Sequence, residues 1–137
     1  MRLVWVVDAG LPTPLCNVAV FSRGGRLLGY PDLLDPVAGV GGEYDGEDHK
    51  DAVRHQADVA REVLLRDHGL EYFTVVGGDL REREMVVRRM HNARRRALFE
   101  SAEERRWTLE PPAWFTVPEC LDHYLARTGQ SALLVRT

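Results

Sequence analysis

The sequence predicts a single mixed α/β domain. Three observations carry that expectation: short β-type runs crowd the region before residue 46, two long segments of helical periodicity follow, and another β-type run, 72–76, lies between them. The length of 137 residues, with 45% hydrophobic and 28% charged content, is enough for one core.

Leu3 to Val7 is an apolar patch ending at Gly10, and Leu11-Pro12-Thr13-Pro14 reads as a helix end followed by a stiff connection, so that the chain enters mid-helix at Met1. Asn17 to Phe21 has strand character, Ser22-Arg23-Gly24-Gly25 is a hairpin signal, and Arg26 to Leu34 follows as a second strand. Asp35-Pro36 turns the chain into a third strand from about Val37 to Asp45, completing an antiparallel three-strand meander. Gly39, Gly41 and Gly42 bring no side-chain packing to that strand, which implies a bulge or a close backbone approach.

From Lys50 to His68 the apolar residues Val53, Ala57, Ala60 and Leu64 recur at helical spacing, with Gly69 placed as a C-terminal cap. Tyr72 to Val76 is the next strand, bounded by Gly77-Gly78. Asp79, followed three residues later by Glu82, is an acidic capping box that opens a second long helix to about Arg106. Pro111-Pro112 marks a boundary, giving a domain over 1–106 and a C-terminal extension over 107–137 packed on it. In the extension Val117-Pro118 opens a short helix that ends before Gly129, and Ala132 to Val135 forms a last strand or tail. Trp107 and Trp114 are expected to clamp the extension to the domain.

Charge and cysteine content narrow the function classes. A net charge of -3 and a pI near 5.9 are not the global signature of a nucleic-acid-binding protein, so charge has to be read locally. No apolar run reaches the length of a membrane-spanning helix, and the opening apolar patch is too short for a signal-peptide core. A cytoplasmic protein without a membrane partner is expected. Cys16 and Cys120 have no CxxC spacing and read as two reduced, packed thiols.

Six carboxylates, Asp32, Asp35, Glu43, Asp45, Glu47 and Asp48, fall between residues 32 and 48 with no basic residue among them. Residues two apart in a strand share a face, so Glu43 and Asp45 point the same way and Tyr44 points into the opposite, core side. A turn near Asp35-Pro36 would bring Asp32 opposite residue 39 or 40, diagonal to Glu43 and within joint reach of one ion. Mg²⁺ or Mn²⁺ favours such oxygen donors and takes a couple of carboxylates together with substrate phosphate oxygens. His49, four residues after Asp45, could act as a base or orient a water there. The chemistry suggested is phosphodiester hydrolysis. The competing reading is a solvated acidic hairpin tip.

Tyr30-Pro31-Asp32-Leu33-Leu34, then Glu43-Tyr44-Asp45-Gly46 and His49, together resemble an uncharacterised bacterial family of Vsr-like domains, domain of unknown function 559, in the restriction-endonuclease-like PD-(D/E)XK superfamily. The resemblance runs from Ala9-Gly10-Leu11-Pro12 through Gln56, Asp58 and Arg61 to Asp79-Leu80, about half the chain. It implies a restriction-endonuclease-like mixed sheet carrying metal-binding Asp32 and Glu43, with Asp45 where the superfamily often has lysine, and His49 and Gln56 facing the same site. It also implies a defence, toxin-antitoxin or DNA-repair context. The family's first helix usually supplies a Glu-Ser pair just upstream of an arginine that matches Arg2, so that acid is not in this sequence. Gly39 to Gly42 replaces a normally apolar strand, and Leu70-Glu71-Tyr72-Phe73 replaces the family's usual entry to the next strand.

From Arg81 to Arg106 nine arginines stand against five glutamates. Arg88, Arg89, Arg94, Arg95 and Arg96 could line a helix that contacts phosphates, while a solvated helix laced with Glu-Arg pairs is the competing account. The expected function is a Mg²⁺-dependent DNA endonuclease-type domain. The alternative is a catalytically inactive module of the same fold that binds DNA or a protein partner, itself or another chain.

Overall fold

Trp5 anchors the start of the chain. Its indole N–H donates to the Pro12 carbonyl at 2.7 Å, and its ring stacks on Phe73 with centroids 5.9 Å apart. The computed structural model describes residues 1–46 and 52–115. In it Trp5 belongs to a short π-helix, Val4–Asp8, which the Ala9 N–H closes onto the Val4 carbonyl before Gly10 turns away with a positive φ.

Among the described residues six strands and two longer helices follow: β1 (Val20–Ser22), β2 (Leu27–Gly29), β3 (Leu33–Asp35), β4 (Val40–Asp45), α1 (Ala52–Asp67), β5 (Glu71–Val76), α2 (Arg83–Arg96) and β6 (Trp107–Thr108). They form two three-stranded sheets, ordered β2-β1-β6 and β3-β4-β5. The first is antiparallel, whereas in the second β3 runs antiparallel and β5 parallel to β4. The mixed α/β expectation holds at this level. No helix among the described residues is long and apolar enough to cross a membrane.

The three-strand meander does not hold. The predicted second strand breaks into β2 and β3, which belong to different sheets. Pro31 between them has no N–H to give a ladder, and the aliphatic stem of Arg61 lies so close over Gly29 that an added Cβ would come within 3.0 Å of it. β3 then pairs with Leu15 on one side, through two 2.8 Å hydrogen bonds with Leu34, and with β4 on the other. The third strand starts at Val40 rather than Val37, because Asp35 organises residues 36–39 as a turn. Its Oδ1 accepts the N–H groups of Val37 and Ala38, each at 3.1 Å, and its Oδ2 accepts from Arg94 Nε on α2 at 2.9 Å.

The glycines of β4 find close contacts rather than a bulge. A Cβ on Gly42 would overlap the Phe73 ring, and one on Gly41 would lie 3.0 Å from the Tyr72 ring. Two aromatic rings of β5 therefore fold over the bare backbone of the neighbouring strand and supply the apolar cover that β4 lacks.

The β3-β4-β5 sheet is buried on both faces. Leu33, Val40, Phe73 and Val75 pack with Val4 and Trp5 of the π-helix and with Val86 and Met90 of α2. From the other face Leu34 and Tyr72 pack with Leu65 of α1, with Val20 and Leu28, and with Trp107 of β6. Trp107, a strand residue of the β2-β1-β6 sheet, is thus part of the core that the two sheets share. Trp114 lies against Phe21 and Phe115 and donates to the Gly25 carbonyl at 3.1 Å, so residues 114–115 are clamped onto the β1–β2 hairpin.

Three further expectations are corrected. α2 ends at Arg96, not near Arg106, because Ala97 turns extended and the Phe99 N–H reaches the Ala38 carbonyl across the fold. Asp79 caps no long helix. It accepts the Val76 N–H at 3.1 Å and starts a 3-10 turn, Gly77–Arg81, while α2 begins without a side-chain cap. Cys16 is exposed rather than packed. Cys120, the predicted helix after Val117-Pro118 and the strand at Ala132 to Val135 lie outside the described residues.

Asp35 is 2% exposed and its carboxylate joins the β3–β4 turn to α2. Asp35→Ala strands the half-buried Arg94 and two turn N–H groups. It is expected to lower the unfolding free energy by about 3 kcal/mol, read as a shift of the urea midpoint at unchanged slope.

Candidate functional site

The ladder between β3 and β4 pairs Leu33 with Gly42, Leu34 with Gly41 and Asp35 with Val40. Asp32 stands in the bend one residue before that ladder and Glu43 one residue past its last partner, Gly42, so the two flank the Leu33–Gly42 pair, closer than the expected diagonal because residues 36–39 make a four-residue turn. Both carboxylates lie on the face that Tyr72 and Leu34 share, toward α1. Asp45, two residues past Glu43, keeps that face and is exposed at the end of β4. Tyr44 points to the opposite face as expected, but it is exposed rather than core.

Each carboxylate is oriented by its neighbours. Asp32 Oδ2 accepts the Tyr44 N–H at 2.9 Å. Glu43 Oε1 accepts from Arg61 of α1 at 2.8 Å, and Glu43 Oε2 accepts the Tyr72 hydroxyl at 2.7 Å. Arg61 divides itself, since its other terminal nitrogen donates to Asp58 Oδ1 at 2.6 Å. Burial first, and then the adjacent Glu43 carboxylate, push the Tyr72 phenol well above its ordinary pKa. Asp32 acts in the same direction. Tyr72 is therefore a proton-bearing donor to Glu43 throughout the physiological range.

Among the described residues no three His, Cys, Asp or Glu side chains are grouped to hold a metal ion. The pair of Asp32 and Glu43 still fits the donor chemistry of a hard divalent cation, which is commonly held by one or two carboxylates. Glu43 already draws one cationic group, the Arg61 guanidinium, to this face. His49 lies outside the described residues. Gln56 is exposed on α1, and five residues of helix turn it about 140° away from Arg61.

Two of the three side chains that hold Glu43 and Arg61 have a signal in the sequence. Asp58 and Arg61 stand at i,i+3 on one helix, a spacing at which acid and base meet. Tyr72 carries only the weaker signal of an aromatic at a strand start.

The arginine-rich helix sits elsewhere and is mostly neutralised. α2 packs with the π-helix on the face of the sheet opposite Asp32 and Glu43. Four of its six arginines pair with acids of other elements: Arg83 with Asp8, Arg89 with Asp79, Arg94 with Asp35 and Arg96 with Glu71. Arg89 also donates to the Thr74 carbonyl at 2.6 Å, and the Arg94 guanidinium lies 5.0 Å over the Phe99 ring. Of the five arginines expected at nucleic acid, Arg89 and Arg94 are committed to the fold. Arg88 and Arg95 are exposed, Arg95 bonding within its own helix to Asn92, and Arg96 is exposed at its ion pair. Two shallow clefts of about 360 and 220 Å³ open along α2, and neither is lined by Asp32 or Glu43.

Comparison with protein-family models, with curated proteins and with solved structures finds no match to this chain.

The raised pKa of Tyr72 has a signed consequence. Its folded value lies above the unfolded value of about 10, so its contribution to stability is complete below about pH 10 and is lost as pH rises above it. Urea titrations at pH 8 and pH 10.5 should show a smaller alkaline loss of stability in Tyr72→Phe than in the parent chain.

Proposed function

We propose that this chain is a nuclease-type α/β domain in which Asp32 and Glu43, with Asp45 next on the same face, hold Mg²⁺ or Mn²⁺ for hydrolysis of DNA phosphodiesters. The observation that supports it is that Asp32, one residue before the Leu33–Gly42 ladder pair, and Glu43, one residue past it, lie at the same end of β3 and β4, with the Asp32 carboxylate on the Tyr44 N–H. The ordered motifs around Pro31-Asp32 and Glu43-Tyr44-Asp45-Gly46 point to the same residues. When bound, such an ion polarises a phosphoryl group and lowers the pKa of a coordinated water.

The chain's own residues set the geometry. The turn at Asp35 fixes the register that brings the two acids to the same end of β3 and β4. The Tyr44 N–H fixes one oxygen of Asp32, and the Tyr72 hydroxyl fixes one oxygen of Glu43. His49, close in sequence to Asp45, is the candidate base.

One observation favours a second reading, a domain of this fold that binds DNA or a protein partner without turnover. Both oxygens of Glu43 are engaged within the chain, so that ion binding has to displace Arg61.

Plasmid and short-duplex DNA incubated with Mg²⁺ or Mn²⁺ separates the two. Cleavage that EDTA abolishes, and that Asp32→Ala and Glu43→Ala each reduce by about 100-fold or more, is the expected result. Cleavage undiminished in Asp32→Ala would refute the carboxylate site. A folded chain that binds DNA in EDTA and never cuts it would establish the second reading.

A further inference from the structure

Arg61 occupies a position that the carboxylate reading leaves unexplained. Its stem crosses Gly29 at a distance that excludes a Cβ, so the stem is fixed by packing while the guanidinium spans two acids. One terminal nitrogen lies 2.8 Å from Glu43 Oε1, the other 2.6 Å from Asp58 Oδ1. Glu43 and Arg61 are largely covered, at 18% and 19% side-chain exposure, whereas Asp58 is open to solvent at 43%. The inner end of the guanidinium is the desolvated one.

We infer that Arg61 is a built-in competitor for the divalent cation, swivelling from Glu43 to Asp58 when the ion arrives; this rests on the carboxylate reading above. Two cationic groups cannot share Glu43 Oε1 in a site so little hydrated, because their repulsion is weakly screened there. Glu43 keeps its orientation when Oε1 is released, since Oε2 stays on the Tyr72 hydroxyl. The displaced guanidinium keeps a carboxylate, since Asp58 already holds it and lies on the solvent side. Glu43 is therefore charge-paired without the ion, and the ion's affinity is set against the Arg61–Glu43 pair.

The competition makes predictions of opposite sign for two neighbouring residues. Arg61→Met retains an unbranched stem over Gly29 and removes the competitor. Asp58→Asn removes the resting place and leaves Arg61 with Glu43 alone. The test is titration of the full chain with Mn²⁺ and no DNA, following free Mn²⁺ by electron paramagnetic resonance, on variants whose melting shows them folded. Arg61→Met should bind Mn²⁺ roughly tenfold more tightly than the parent chain, equivalent to about 1.4 kcal/mol. Asp58→Asn should bind it more weakly, and that weakening should vanish in the Arg61→Met background, because Asp58 acts through Arg61. Arg66→Met, which removes an equal charge from the same helix without touching Glu43, should leave the affinity unchanged.

Affinity unchanged or weakened in Arg61→Met overturns the competition while leaving the carboxylate site standing if the parent chain binds Mn²⁺. An Asp58→Asn effect that persists without Arg61 also overturns it, since Asp58 would then act by its own field. Absence of Mn²⁺ binding from both the parent chain and Arg61→Met overturns the carboxylate reading and the competition together.

Discussion

The buried carboxylate of Asp35 holds the parts of this fold in relation to one another. One oxygen gathers the N–H groups of Val37 and Ala38 and the other receives Arg94, so a single side chain shapes the β3–β4 turn and ties it to α2. The same turn receives the chain again after α2, where the Phe99 N–H reaches the Ala38 carbonyl and Arg105 reaches the Pro36 carbonyl. A buried acid is tolerated because its oxygens are satisfied and its charge is paired. The turn length that results decides the β3–β4 register. That register, and not proximity in sequence, brings Asp32 and Glu43 to the same end of the β3–β4 pair.

β5 meets two demands through its neighbours. Toward β4, Tyr72 and Phe73 cover the glycine backbone that would otherwise leave the central strand bare. On the outer edge, the Tyr72 carbonyl accepts Arg66 at 2.9 Å, the Thr74 carbonyl accepts Arg89, and the Val76 N–H donates to Asp79. An edge strand is an open template for pairing with another chain. Here side chains from α1, the 3-10 turn and α2 occupy it. Arg89 and Asp79 also pair with each other, and the backbone N–H of Val76, followed by Arg89, holds the Asp79 carboxyl below its usual range. Much of the arginine excess is thus spent inside the fold.

The sheet separates the candidate acids from the basic helix. Asp32, Glu43 and Asp45 share the α1 face, and the arginines of α2 belong to the other. The positive group paired with Glu43 comes from α1 as Arg61, one residue with two carboxylate partners. Electrostatics at the proposed site is therefore a local balance among Asp32, Glu43, Asp58 and Arg61 rather than the product of a basic helix.

The sequence by itself determined the mixed α/β class, the helix before Gly69, the strand at Tyr72 to Val76, and the common face of Glu43 and Asp45. Those features follow from backbone periodicity, which neighbouring residues set by their own sterics and polarity. The tertiary structure alone decided that residues 26–34 serve two sheets, that Asp79 caps a 3-10 turn, that α2 stops at Arg96, and that four of its arginines are consumed by distant acids. It also decided that Glu43 meets Arg61 and Tyr72, 18 and 29 residues away, and that Asp35 meets Arg94 59 residues on. Partners at such separations depend on how the sheets and helices stack, and a charge or an aromatic in the sequence carries no mark of which acid or glycine it will cover.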